Sequence, residues 1–167
     1  MRSSKIFSME GGRYARKHPS IVGSGGGLVG GATIWIYEAL VWVGAQHLLP
    51  LAGIARNATG LVFGKTVQES LGWMAYPAGT AIHFFFSIAW GILFAWRWPH
   101  LRKRGYEATL VALFYAVIAW IVMHVAITIA SDNHPNYHDP VVIIGGVMSH
   151  LFFTVPLALV VKRQLAE

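Results

Sequence analysis

The chain has 167 residues, of which 55% are hydrophobic and 12% charged, with a net charge of +6 and no cysteine. A soluble domain is about one quarter charged, so this chain cannot cover a folded surface with polar groups and lipid must cover it. The lack of cysteine excludes disulfides, thiolate metal sites and cysteine nucleophiles.

Residues 1–20 form a basic arm with Arg2, Lys5, Arg13, Arg16 and Lys17, but without the apolar core and small-residue cleavage site of a signal peptide. Residues 21–165 then read as a single membrane domain. A bilayer-spanning helix needs roughly 20 mostly apolar residues, and four stretches supply them, at about 21–45, 78–96, 108–130 and 141–161. In the first, Gly27, Gly31, Ile34 and Glu38 follow one helical stripe, and the two glycines mark that stripe as a helix–helix interface. The connection over 46–77 mixes Leu61, Val62, Val67, Leu71 and Trp73 with Lys65, Gln68 and Glu69, which predicts a short amphipathic helix on the outer interface. Pro77 and Arg97-Trp98-Pro99 bound the second span, and the third contains no Gly, Pro or formal charge.

Apart from Arg56 and Lys65, every Lys and Arg lies in the N-terminal arm, at 97–104 or at 162–163. Short basic loops stay in the cytoplasm. The expected fold is therefore an all-α, four-helix membrane bundle with both termini inside, the lipid bilayer as its partner and no nucleic acid.

An internal echo joins the second and fourth spans: Gly79-x-x-x-His83-x-Phe-Phe-Ser87 and Gly146-x-x-x-His150-x-Phe-Phe-Thr154. It reads either as a parallel repeat of two helical hairpins or as coincidence in an alphabet rich in Phe and Gly.

Ionisable groups inside a membrane are costly and face the bundle interior. Four are present: Glu38, His83, His124 and His150. Counted from the outer ends of their spans they lie about seven, five, six and nine residues in, which puts them within roughly 6 Å of depth of one another. Each also rides on a small or polar stripe: Gly79 and Ser87 beside His83, Thr128 beside His124, Gly146 beside His150. One site containing all four is expected. Three readings of it stand. The first is a structural polar core with Glu38 accepting from an imidazole. The second is a zinc, copper or haem site built from the three His and Glu38. The third is a proton relay or small transporter. A weaker cation site is suggested by Asp132, His134, His138 and Asp139 in the outer loop, which is equally a turn rich in Asn, Asp and Pro. Nucleophilic catalysis has no support, since neither Ser87 nor Ser149 sits in a G-x-S-x-G elbow.

The run His83-Phe-Phe-Phe-Ser87-Ile88, His124 two-thirds along the third span, and Ser149-His150-Leu151 ahead of Lys162-Arg163 resemble the YagU-type bacterial inner-membrane proteins. Glu38 falls where that family has a Glu late in its first helix. The resemblance spans about residues 20 to 165 but not the connection between the first two helices. It implies a bacterial inner-membrane location and that Glu38, His83, His124 and His150 belong together. The combined expectation is a non-enzymatic accessory or scaffolding protein, in a larger membrane complex or a homo-oligomer. Metal or haem binding is the alternative.

Overall fold

A computed structural model describes residues 17–132 and 136–165, and within these every regular element is helical. Arg2, Lys5, Arg13 and Arg16 of the basic arm lie outside the described residues. The first helix, α1, is α-helical over Pro19–Glu38 and continues as a π-helix over Ala39–Ala45. His18 caps it by accepting from the Ser20 amide at 3.3 Å, and Pro19 has no N–H to leave unpaired. The wider π turns begin immediately after Glu38, and insertions of this kind concentrate at functional sites.

The first connection holds two helices, α2 (Leu51–Phe63) and α3 (Lys65–Ser70), separated at Gly64, whose φ of 87° suits glycine. A 3-10 turn at Gly72–Met74 leads into α4 (Ala75–Lys103). The helices α5 (Ala108–Ala130) and α6 (Pro140–Gln164) complete the chain. Glu107 caps α5 by accepting from the Thr109 amide at 3.0 Å, and Asp139 caps α6 by accepting from the Val141 amide at 2.9 Å.

Four helical segments, Pro19–Ala45, Gly72–Lys103, Ala108–Ala130 and Pro140–Gln164, are long and apolar enough to cross a bilayer. The second runs well past the expected 78–96 because neither proline ends it. Pro77 stands in the first turn of α4, where amides have no intrahelical partner anyway. Pro99 falls near the last turn, where the loss of one ladder bond is tolerated.

The helix α1 is the hub, with α4 on one side and α6 on the other. Its glycines make both contacts: a Cβ on Gly27 would overlap the Ser87 carbonyl oxygen of α4, and one on Gly30 would lie 2.5 Å from the Phe153 carbonyl oxygen of α6. Small residues let membrane helices approach this closely. On α5 the buried Ala108, Ala112, Ala116 and Ala119 play the same part, and the buried Thr154 hydroxyl of α6 donates to the Ala112 carbonyl at 2.9 Å. Large apolar side chains point outward instead: Phe114 is 65% exposed and Ile129 82%. A surface built this way suits acyl chains and not water.

The helix α2 packs against the start of α4. The fully buried Thr59 hydroxyl donates to the Ala75 carbonyl at 2.7 Å, and the lack of a side chain on Gly79 leaves room for the Ala55 carbonyl. Ser131, after α5, donates to the Gly60 carbonyl at 3.0 Å. At the opposite end of the bundle the four spans are tied by Lys162 to Glu107 at 2.6 Å, Lys17 to the Gln164 side chain at 3.2 Å, and Arg102 to the Leu165 carbonyl at 3.0 Å. Both described termini therefore sit at that basic end.

Candidate functional site

Glu38 of α1, His83 of α4, His124 of α5 and His150 of α6 all line one cavity of about 390 Å³. Trp35, Trp42 and Trp90 add aromatic wall, and α2 supplies Ile54, Asn57 and Ala58. Every spanning helix contributes one ionisable group.

The three imidazoles are held by backbone carbonyls. His83 Nε2 donates to the Gly31 carbonyl at 2.9 Å, across the α1–α4 contact, and its ring stacks on Trp35 with centroids 4.9 Å apart. His124 Nδ1 donates to the Trp120 carbonyl at 2.7 Å, and His150 Nδ1 to the Gly146 carbonyl at 2.8 Å, each one turn back along its own helix. A carbonyl only accepts, so these nitrogens carry the hydrogen, and in a neutral ring the other nitrogen is a lone-pair acceptor. The rings of His124 and His150 are neighbours, 6.1 Å between centroids. Two hydroxyls on the same wall are also committed as donors: Ser87 to the His83 carbonyl and Ser149 to the Gly146 carbonyl, both at 2.8 Å.

Glu38 differs from the rest. Among the described residues its carboxylate makes neither a hydrogen bond nor an ion pair. The expected core, with Glu38 accepting directly from an imidazole, is not formed, because each ring spends its N–H on a carbonyl and keeps only an acceptor. No three His, Asp or Glu side chains among the described residues stand close enough to hold one metal ion.

The loop after α5 is occupied with capping. Asp132 accepts from the Lys65 amide at 3.1 Å at the start of α3, and Asp139 caps α6. The His138 amide donates to the Asn136 side chain at 3.1 Å, and His134 lies outside the described residues.

The two halves of the Gly-x-x-x-His echo do different work. Gly79 receives α2 and its histidine bonds across to α1, whereas Gly146 faces the Trp120 indole and its histidine bonds back to Gly146 itself. Sequence reasoning missed the tryptophans and Asn57. For Trp35 and Trp42 the signal was present, since they flank Glu38 at three and four residues, on its own face of the helix. Asn57 carried none, because nothing local says that α2 folds against the bundle. Comparison with protein-family models, with curated proteins and with solved structures finds no match for this chain.

Proposed function

We propose that this chain is a multi-pass protein of the bacterial inner membrane, with its basic end in the cytoplasm, and that its cavity is a binding chamber for a small molecule. The observation that carries the reading is Glu38: a carboxyl group on the wall of the cavity, with no hydrogen-bond or ion-pair partner among the described residues, while three imidazoles line the same space. An unpaired acid in a low-dielectric interior costs free energy, and intramembrane ionisable groups mark ligand or ion paths. A purely structural core would have paired it. An accessory or scaffolding role alone gives the cavity no purpose, and Ser87 and Ser149 on its wall donate to backbone carbonyls and not to an imidazole. The orientation rests on the Lys and Arg distribution, and the inner-membrane location on the likeness to YagU-type proteins.

The chain has no cysteine, so single-cysteine variants report cleanly. Met123 lines the cavity, whereas Phe114 points out of the bundle. A small methanethiosulfonate reagent should label Met123→Cys in reconstituted protein, and adding Ala58→Trp, also on the wall, should slow that reaction. A Met123→Cys variant that is folded yet as inert as Phe114→Cys would end the chamber reading.

A further inference from the structure

The ionisable and hydroxyl-bearing side chains on the described cavity wall share one property, whereas the amides of Asn57 and Asn136 both donate and accept and the indoles can donate. Every ionisable or hydroxyl-bearing side chain there presents an acceptor: the Glu38 carboxylate, one lone-pair nitrogen each on His83, His124 and His150, and the oxygens of Ser87 and Ser149, whose protons are already donated to carbonyls. Among the described residues no Lys or Arg lines the cavity, so a charged Glu38 has no counter-ion on that wall.

Resting on the chamber reading, we propose that the ligand is a protonated organic amine with an apolar body. The complement of such a wall is a cation that brings its own hydrogen-bond donors. A primary ammonium carries three N–H groups and no acceptor, so it can meet Glu38 and still has donors left for another acceptor on the wall. The indoles of Trp35, Trp42 and Trp90 on the wall suit the same charge wherever a ring face is open to the cavity, since a desolvated cation over a tryptophan ring is attracted by its quadrupole. The apolar stretches of wall, among them Ile34, Ile54 and Phe86, take the hydrocarbon. A bare metal ion fits less well, because the acceptors are spread round the cavity and no three of the described His, Asp and Glu gather in one coordination sphere.

The test uses the full-length protein in lipid nanodiscs and four matched probes: phenethylammonium, the neutral 2-phenylethanol, the anionic 3-phenylpropionate and the quaternary phenethyltrimethylammonium. Saturable binding is read by equilibrium dialysis. Ala58→Trp, which fills the cavity, separates chamber binding from partition into lipid. Phenethylammonium should bind at one per chain, at least tenfold tighter than the alcohol and severalfold tighter than the quaternary ion, with no saturable binding of the anion. Glu38→Gln should weaken the ammonium at least tenfold and the alcohol much less. Should Glu38→Gln fail to fold, the order of affinities in the parent still decides. Alcohol and ammonium binding equally, both lost in Ala58→Trp, would overturn the amine and leave the chamber standing. Quaternary and primary ions binding equally would remove the acceptors from the argument and overturn it too. No saturable binding of any probe would overturn the amine, and the fate of the chamber would then be read from the Met123→Cys labelling.

Discussion

Gly27 of α1 and Ser87 of α4 touch backbone to backbone: a Cβ at position 27 would overlap the Ser87 carbonyl oxygen and lie 2.9 Å from the Ile88 Cα. Four residues before Ser87 stands His83, bonded to the Gly31 carbonyl one turn along α1. The crossing that brings the two helices together therefore also sets the imidazole against its carbonyl.

Gly27→Ala should destabilise, because backbone cannot yield as a flexible side chain does. Overpacking of this kind costs about 1–3 kcal/mol. Gly25→Ala is the control, since a Cβ there meets nothing within 4 Å, and its effect should stay within about 0.5 kcal/mol. Thermal unfolding of both purified variants decides the matter. Equal midpoints would mean that α1 and α4 do not cross at this point.

Thr59 fastens α2 to the bundle through the Ala75 carbonyl at 2.7 Å. Thr59→Val keeps the shape and removes the donor, leaving a polar contact unmade in a fully buried place, which costs about 1 kcal/mol. Thr80→Val, which loses only a bond to Tyr76 within α4, should cost less. Hydrogen exchange should quicken in α2 of the Thr59 variant before it changes in α5. Protection lost evenly along the chain would show that α2 is not separately held.

The spans were legible because runs of apolar residues of bilayer length are a property of the sequence itself. The third matches at 108–130 because no Pro or Gly confuses its ends. The ends of α4 were misread because a proline stops a helix only where an amide is needed, and Pro77 and Pro99 stand near its two ends. The connection over 46–77 was expected to hold one short interfacial helix; it holds two helices, of which α2 packs against α4. The contacts of α2 through Thr59, Gly60 and Gly79 join residues distant in the chain, so no local pattern announces them. That Glu38 and the three histidines line one cavity was legible because position along a spanning helix is a residue count. What holds the rings was not, since carbonyls such as those of Gly31, Trp120 and Gly146 are present in every residue and leave no signature.

Glu107 and Lys162 give a pH test at the basic end. The hydrogen bond from Lys162, helped by the Thr109 amide, holds the Glu107 carboxyl below its ordinary value of 4.5. A carboxylate with a depressed folded-state value adds stability above its unfolded value and loses it as pH falls through the folded one. The parent should therefore melt above Glu107→Gln at pH 6–7, and the gap should close as the pH drops below about 4. Both side chains are largely exposed, at 46% and 59%, so the gap should be small and should shrink in high salt. A gap that persists at pH 3 would assign the effect to the cap alone.

The last expectation concerns orientation. The described cations Lys17, Arg102 and Lys162 are fastened to partners at the end of the bundle where α1 begins and where α4 and α6 finish. Arg97, Lys103, Arg104 and Arg163 lie beside them in sequence, while the connections at the other end hold only Arg56 and Lys65. Positive residues in short loops resist translocation, so the proposed orientation puts this end in the cytoplasm. A reporter active only in the cytoplasm should then work when fused after Glu167 and fail when inserted at Asn136, in the connection between α5 and α6. Replacing Arg102, Lys103 and Arg104 together with Gln, while adding lysines beside Arg56, should weaken the bias and yield molecules of both orientations. An active insertion at Asn136 with a silent fusion after Glu167 would reverse the assignment. It would put the end of the bundle that carries α2 and Asn57 on the cytoplasmic side.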